Sequence, residues 1–328
     1  MFGYVQDLGI DLGTSNVLIS TKRSIVLREP SVLTIYRTSK AVQAVGQASE
    51  TMLGRTPVGI VAVRPMKDGV IADYSATEEM LKAFLKKVCS HNIIKPRVVI
   101  SVPGGATEVE KRAVKDAAIR SGARKAYIVS SPIAAAIGNG IDISRPSGTM
   151  VIVIGGGVTD IAVISMNGIV ASSSLKIAGE RFDDAIVRYV RKKFSVIIGE
   201  KTAEYIKKEI GCVYMRNAEK TVEVKGRSLV SGLPQTITIS SSEVMEALSE
   251  PVDAIIEEIG NVLEQTPPEL AGDISDSGIT LVGGGSLLYG FDKLISSVTG
   301  IKVNVPEDPI ACVAKGTGKI LSKMELLS

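Results

Sequence analysis

The sequence predicts an α/β fold built by duplication, with two similar units facing each other across a cleft. Two observations predict it. The stretch Gly9–Asn16 (GIDLGTSN) recurs in altered form at Ile152–Asp160 (IVIGGGVTD), each an apolar strand that runs into a glycine-rich turn with a small hydroxyl residue. A meander of short strands followed by helices also begins twice, at Leu8 and again at Met150. A single doubly wound sheet would accommodate the elements but not the repeated turn.

The first unit opens with β runs at Leu8–Leu12, Val17–Ser20, Ile25–Leu27 and Ser31–Ile35. An amphipathic helix is expected at Ala76–Val88, with Met80, Leu81, Phe84, Leu85 and Val88 on one face and a Ser75…Glu78 capping box at its start. Arg97–Pro103 is an unbroken apolar run of the buried-strand type, and Thr107–Ser121 is a helix with its own Thr107…Glu110 box. A strand at Ala123–Val129 leads to a helix at Pro132–Gly138, and Arg145–Gly148 is a breaker. The second unit repeats the pattern with strands at Met150–Ile154, Ile161–Ser165 and Ile169–Ser173. Helices follow at Phe182–Phe194 and Thr202–Ile210, then a strand at Thr236–Ile239 and a largely helical stretch at Ser241–Thr266. Gly278–Val282 is a strand entering Gly283-Gly284-Gly285, Leu287–Thr299 a helix, Lys302–Val305 a strand, and Ala311–Met324 the closing helix.

Composition narrows the function. The chain has 328 residues, enough for two domains; 45% are hydrophobic but only 4% aromatic, so the core must rest on Val, Ile, Leu and Ala. A net charge of +3, with no basic run interleaved with aromatics, argues against nucleic acid as a partner. Cys89, Cys212 and Cys312 are odd in number and widely spaced, as expected of reduced thiols in the cytoplasm. His91 is the only histidine, which excludes a multi-histidine metal site. Neither a signal peptide nor an apolar run of membrane-spanning length is expected.

The repeated turns are candidate phosphate cradles, because glycine lets backbone amides approach an anion and a neighbouring Ser or Thr adds a donor. Gly13, Thr14, Ser15 and Asn16 would form one cradle, and Gly155, Gly156, Gly157, Val158 and Thr159 the other. Asp11 ends the first strand, where a carboxylate could hold Mg²⁺ through water. By itself this string is equally an ordinary hairpin turn. Paired with the second turn and the Gly283–Gly285 cluster, it reads as a nucleotide site. No GxxxxGK[ST] P-loop and no GxGxxG fingerprint occurs.

These strings also carry a family resemblance. DLGIDLGTSN (7–16), VAVRPMKDGVIADY (61–74), TEVEKRAV (107–114), AGERFDDAI (178–186), IGEKTAEYIKKEIG (198–211), LVSGLPQTITIS (229–240), LVGGGSLL (281–288) and EDPIACVAKGTGK (307–319) resemble the bacterial actin family of MreB and Mbl. The likeness runs along essentially the whole chain. It implies an actin-like (ribonuclease H-like) duplicated fold of two domains, each with a small subdomain, around a nucleotide cleft. Domain I would be 1–140, with a small lobe near 31–73, closed by a C-terminal helix at 311–328. Domain II would be 141–310, with a small lobe near 180–240.

The resemblance further implies ATP or ADP with Mg²⁺ in the cleft and assembly into protofilaments, alone or with MreB paralogues. It implies attachment to the inner face of the cell membrane from the cytoplasm, and dealings with cell-wall synthesis and morphogenesis proteins that determine cell shape. On the family template the adenosine side involves Glu204, Tyr205, Ile206 and Lys207 together with Gly284, Gly285, Ser286 and Leu287. The loop Asn92–Pro96 falls where relatives carry a hydrophobic membrane loop, so Ile93 and Ile94 are the membrane candidates.

Three positions depart from the family pattern. Relatives read EEP before the Ala-rich helix, the second Glu serving the attacking water; here that position is Ser131. Relatives read DIGGGTTE at the second turn; here Val153 replaces the Asp and Val158 the first Thr. The expectation is therefore a nucleotide-binding filament protein with weakened hydrolysis. The alternatives are a fully active ATP-hydrolysing member and, further off, a small-molecule kinase of the same superfamily.

Overall fold

The structure is a computed structural model, and it describes residues 7–89 and 94–322. The first half begins with β1 (Leu8–Leu12), β2 (Asn16–Ser20) and β3 (Ile25–Pro30). A small lobe follows, made of β4 (Leu33–Tyr36), β5 (Val42–Val45), α1 (Gln47–Glu50), β6 (Ile60–Val63) and a hairpin of β7 (Met66–Lys67) and β8 (Val70–Ile71). The chain then returns through α2 (Tyr74–Val88), β9 (Arg97–Val102), α3 (Glu108–Arg120), β10 (Lys125–Ser130) and α4 (Ser131–Gly138).

The second half opens with β11 (Thr149–Ile154), β12 (Thr159–Ser165) and β13 (Gly168–Leu175). Next come α5 (Gly179–Phe194), β14 (Val196–Ile197), α6 (Glu200–Ile210), β15 (Thr221–Ser228) and β16 (Pro234–Ser240). It closes with α7 (Ser241–Glu264), α8 (Pro268–Ser277), β17 (Ile279–Val282), α9 (Phe291–Thr299), β18 (Val303–Asn304) and α10 (Cys312–Ile320).

The duplication is explicit in the sheets. One has the order β10-β9-β1-β2-β3 and the other β18-β17-β11-β12-β13. In each, three antiparallel strands are extended by two parallel ones. Alternation along the central strands sorts side chains into separate cores. Val98 and Ile100 of β9 enter the first-half core under α2 and α3, while Met150, Ile152 and Ile154 of β11 enter the second-half core with α5 and α7. Val99, Val151 and Val153 point the other way, into a third core shared with α4 and α10. Strands buried on both faces are apolar at nearly every position, which is why β9 and β11 read as continuous runs; the buried Ser101 of β9 donates its hydroxyl to Asp11.

Helices α4 and α10 thus form the layer between the two sheets. Their crossing is close enough to require glycine: a Cβ at Gly138 would overlap the Cys312 carbonyl, and one at Gly316 the Ala134 carbonyl. The two halves also touch away from this layer, where Lys201 Nζ at the start of α6 donates to the Glu50 carbonyl that ends α1.

Several local expectations are corrected. Helix α2 starts at Tyr74 and is capped by Asp73, whose Oδ1 accepts from Ala76 N at 2.9 Å, not by a Ser75…Glu78 box. The expected elements omit α1, β5 to β8, β14, β15 and α8. Strand β15 alternates exposed polar residues with half-buried and buried ones, and α8 starts at a Pro-Pro pair that reads as a breaker. The helix expected from Leu287 begins at Phe291, because Gly284–Leu287 is a short 3-10 turn and Gly290 is left-handed. Helix α10 spans only Cys312–Ile320 of the expected 311–328 helix and ends in a turn at Leu321 and Ser322; residues 323–328 lie outside the described residues.

Candidate nucleotide site

The two glycine turns sit at equivalent points of the duplicated sheets and are closed in the same way. Gly13 N donates to Asn16 O at 3.1 Å, and Gly155 N donates to Val158 O at 2.9 Å. Among the described residues, the apical amides of Thr14, Ser15, Gly156 and Gly157 find no acceptor. Four unpartnered N–H groups at facing turns make an anion cradle. The turns nearly touch: a Cβ at Gly156 would overlap Ser15 Oγ, so glycine there is dictated by the opposing half. The tip of the small-lobe hairpin lies over both. Gly69 N donates to Thr14 Oγ1 at 2.9 Å, and Val158 and Pro103 both pack against Gly69.

A cavity of about 610 Å³ opens from these turns between the halves, a volume suited to a nucleotide-sized ligand. Asp11 and Asp160 stand at its floor. Ser101 Oγ donates to Asp11 Oδ1 at 2.8 Å, while Asp160 Oδ1 accepts from Gly104 N at 2.9 Å and Ser174 Oγ at 2.7 Å. Burial pushes each carboxyl up to about 6 against these hydrogen bonds. Ser131 Oγ donates to the Val102 carbonyl at 2.9 Å, and Val153 and Val158 contribute apolar wall.

The far end is charged. Glu204 pairs with Lys208 at 2.7 Å; burial pulls its carboxyl up, but Lys208, Lys207 and Arg64 together hold it below its ordinary value. Lys207 Nζ donates to Asp183 Oδ2 at 2.8 Å and to the Gly179 carbonyl at 2.9 Å. Asp183 is nevertheless pushed up to about 6, because burial outweighs Lys207, and its buried Oδ1 has no partner among the described residues.

Asp11, Gly13, Thr14, Ser15, Asn16, Ser131, Gly155, Gly156, Gly157, Val158, Glu204, Lys207, Gly284, Gly285 and Leu287 are brought together on this one cavity. Four expected residues are not. Thr159 is fully buried and its hydroxyl donates to Ile177 O at 2.6 Å. Ile206 packs in the second-half core, and Tyr205 faces solvent at 49% exposure, because a helix sends neighbours of Glu204 and Lys207 to other faces. Ser286 Oγ turns back to Gly283 O at 2.7 Å. Ile94 is exposed at 46%, and Ile93 lies outside the described residues.

Residues that the sequence reading did not place on the cavity include Ser101, Pro103, Gly179, Phe182 and Lys208. Lys208 had a signal, its i+4 spacing from Glu204. Ser101 had none, because it reaches Asp11 only through the parallel register of β1 and β9.

A buried carboxylate with one hydrogen bond, next to an anion cradle, fits a divalent cation that is also held by phosphate and water. Among the described residues no group of three His, Cys, Asp or Glu side chains could hold a metal without such help.

The profile of the MreB/Mbl protein family matches residues 5–328. The cell shape-determining protein MreB of Escherichia coli K12 is 50% identical over 330 residues, covering 98% of this chain and 95% of that protein. Mbl of Bacillus subtilis strain 168 is 49% identical over 326 residues, covering 99% and 98%. The crystal structure of MreB5 of Spiroplasma citri bound to ADP superposes with a TM-score of 0.92 at 38% identity, covering 97% of this chain and 96% of that one; the AMPPNP-bound form gives 0.90.

Proposed function

This chain belongs to the MreB/Mbl family and has its actin-like duplicated fold, and we propose that it is a cell-shape filament protein that binds ATP and ADP in this cleft and turns ATP over slowly. The observation that carries the reading is the pair of facing turns with four unpartnered amides over a single cavity. Nucleotide complexes of MreB5 from Spiroplasma citri support it.

In this reading the amides of Thr14–Ser15 and Gly156–Gly157 grip phosphate oxygens from both halves, so a bound nucleotide ties the halves together. Glu204, Lys207 and Lys208 face the adenosine end. Asp11 is the residue that would hold Mg²⁺ through water, and the ion when bound supplies charge neutralisation to the phosphates. Slow turnover is supported by the chemistry at the floor. Ser131 donates its proton to Val102 O and is no base at neutral pH, Val153 offers no carboxylate, and Val158 offers no hydroxyl. Loss of a positioned base costs ~10²–10⁴ in rate.

Phosphate release beside nucleotide affinity on one sample tests the reading. Tight binding with release far below that of E. coli MreB under the same assembly conditions is expected; equal release would sink slow turnover, and absent binding would sink the site. Self-assembly into protofilaments, with or without a paralogue, and peripheral attachment at the cytoplasmic face of the membrane belong to the same proposal, as do cell-wall synthesis partners. No helix among the described residues is long and apolar enough to cross a membrane. The exposed Ile94 is the described residue proposed to take part in attachment.

A further inference from the structure

Asp160 is a buried carboxylate at the phosphate end that the binding reading leaves without a task. Its Oδ1 is fixed by two donors, Gly104 N from the first half and Ser174 Oγ from the second. No described residue donates to Oδ2, and the residue lines the cavity. Of the other polar groups nearby, Ser130 Oγ is buried with no partner among the described residues, and a serine hydroxyl is no base at neutral pH. Ser131 Oγ points its proton at Val102 O, Thr159 Oγ1 points at Ile177 O, and Asp11 takes Ser101 beside the first turn. Val153 and Val158 carry no polar atom on their side chains.

We propose that Asp160 positions and deprotonates the attacking water in the residual ATP hydrolysis, a role that Ser131 cannot fill. The inference rests on nucleotide occupying this cleft. Water held at Oδ2 forms a new bond to the terminal phosphorus as the bond from phosphorus to the β,γ-bridging oxygen breaks. ADP leaves with that electron pair, and the water proton passes to Oδ2 and from there to solvent. Two fixed donors on Oδ1 orient the carboxylate from both halves of the molecule, so the base is aligned only while the halves are together.

Asp160→Asn isolates the role, because an amide oxygen still accepts from Gly104 and Ser174 while the base is lost. On the full chain, single-turnover phosphate release should fall at least about tenfold in D160N, with affinity for a fluorescent ATP analogue changed less than about threefold. D160E, which keeps the carboxylate, should retain more activity than D160N. Adding Ser131→Glu to D160N should restore release, because a base then stands on the neighbouring element. The proposal is overturned if D160N matches wild type, if D160N and D160E fall alike, if affinity and rate fall in equal measure, or if wild type releases no phosphate above background. That last outcome leaves nucleotide binding intact, whereas loss of analogue binding by wild type removes the binding reading itself.

Discussion

Val153 and Asp160 stand directly opposite each other on β11 and β12, whereas the matching pair in the first half is Asp11 and Leu18 on β1 and β2. The carboxylate has changed strands between the two copies. Restoring an acid with Val153→Asp would set two carboxylates on facing positions about 5 Å apart at Cβ. Like charges at that range cannot both ionise cheaply. The variant should melt below wild type, with a larger gap at pH 7 than at pH 5, and Mg²⁺ with ATP should narrow the gap. An identical gap at both pH values would contradict this.

Asp11 and Asp160 give the nucleotide-free chain an inverted acid response. Both carboxyls are raised to about 6 from an ordinary 3.8. Between those values the folded state holds protons that the unfolded state has released, so stability rises as pH falls through 6 and the gain is complete near 4. Each group contributes on the order of 1–3 kcal/mol. Differential scanning calorimetry without nucleotide should give a higher midpoint at pH 5 than at pH 7, and Asp11→Asn should remove part of the difference. A midpoint that falls over this range would refute the assignment.

The α4–α10 crossing predicts a severe effect from a single methyl group. Gly316→Ala forces the Ala134 carbonyl away, and neither helix has a flexible side chain there to absorb the shift. Overpacking of this kind costs about 1–3 kcal/mol or more. Gly272→Ala on α8, where a Cβ meets nothing within 4 Å, is the matched control and should be neutral or stabilising. Urea denaturation of the two variants beside wild type is the measurement.

Membrane attachment makes a separate prediction. Replacing Ile93 and Ile94 with Ser should abolish co-sedimentation with anionic liposomes while leaving nucleotide affinity unchanged. Undiminished co-sedimentation would count against the assignment.

The parts of the fold legible in the sequence are those with strong local signals. The buried strands β1, β9, β11 and β17 are apolar at nearly every position, and both glycine turns stand at their ends. The small-lobe strand β15 has no such signal, because only one of its faces meets the core. At the site, Glu204 and Lys207 were legible through family strings, yet the intervening Tyr205 and Ile206 were carried along as a contiguous block. Helical periodicity separates them: positions 204, 207 and 208 share a face, and 206 faces the core. Gly104, Ser101 and Ser174 reach the two carboxylates only through sheet register and loop return, which no local pattern announces.

Helix α10 belongs to the first half by contact, packing on α4 and against β1, β2 and β9, although it is the last helix described. During synthesis, α4 leaves the ribosome long before its partner exists. At roughly 5–20 residues per second the delay from Gly138 to Cys312 is on the order of ten to thirty seconds. Through that interval Val99, Val129 and the Ala134–Ala136 run have no α10 to cover them. The nascent chain therefore presents this apolar surface throughout the interval, and its exposure to misassembly is concentrated there and not in either finished half.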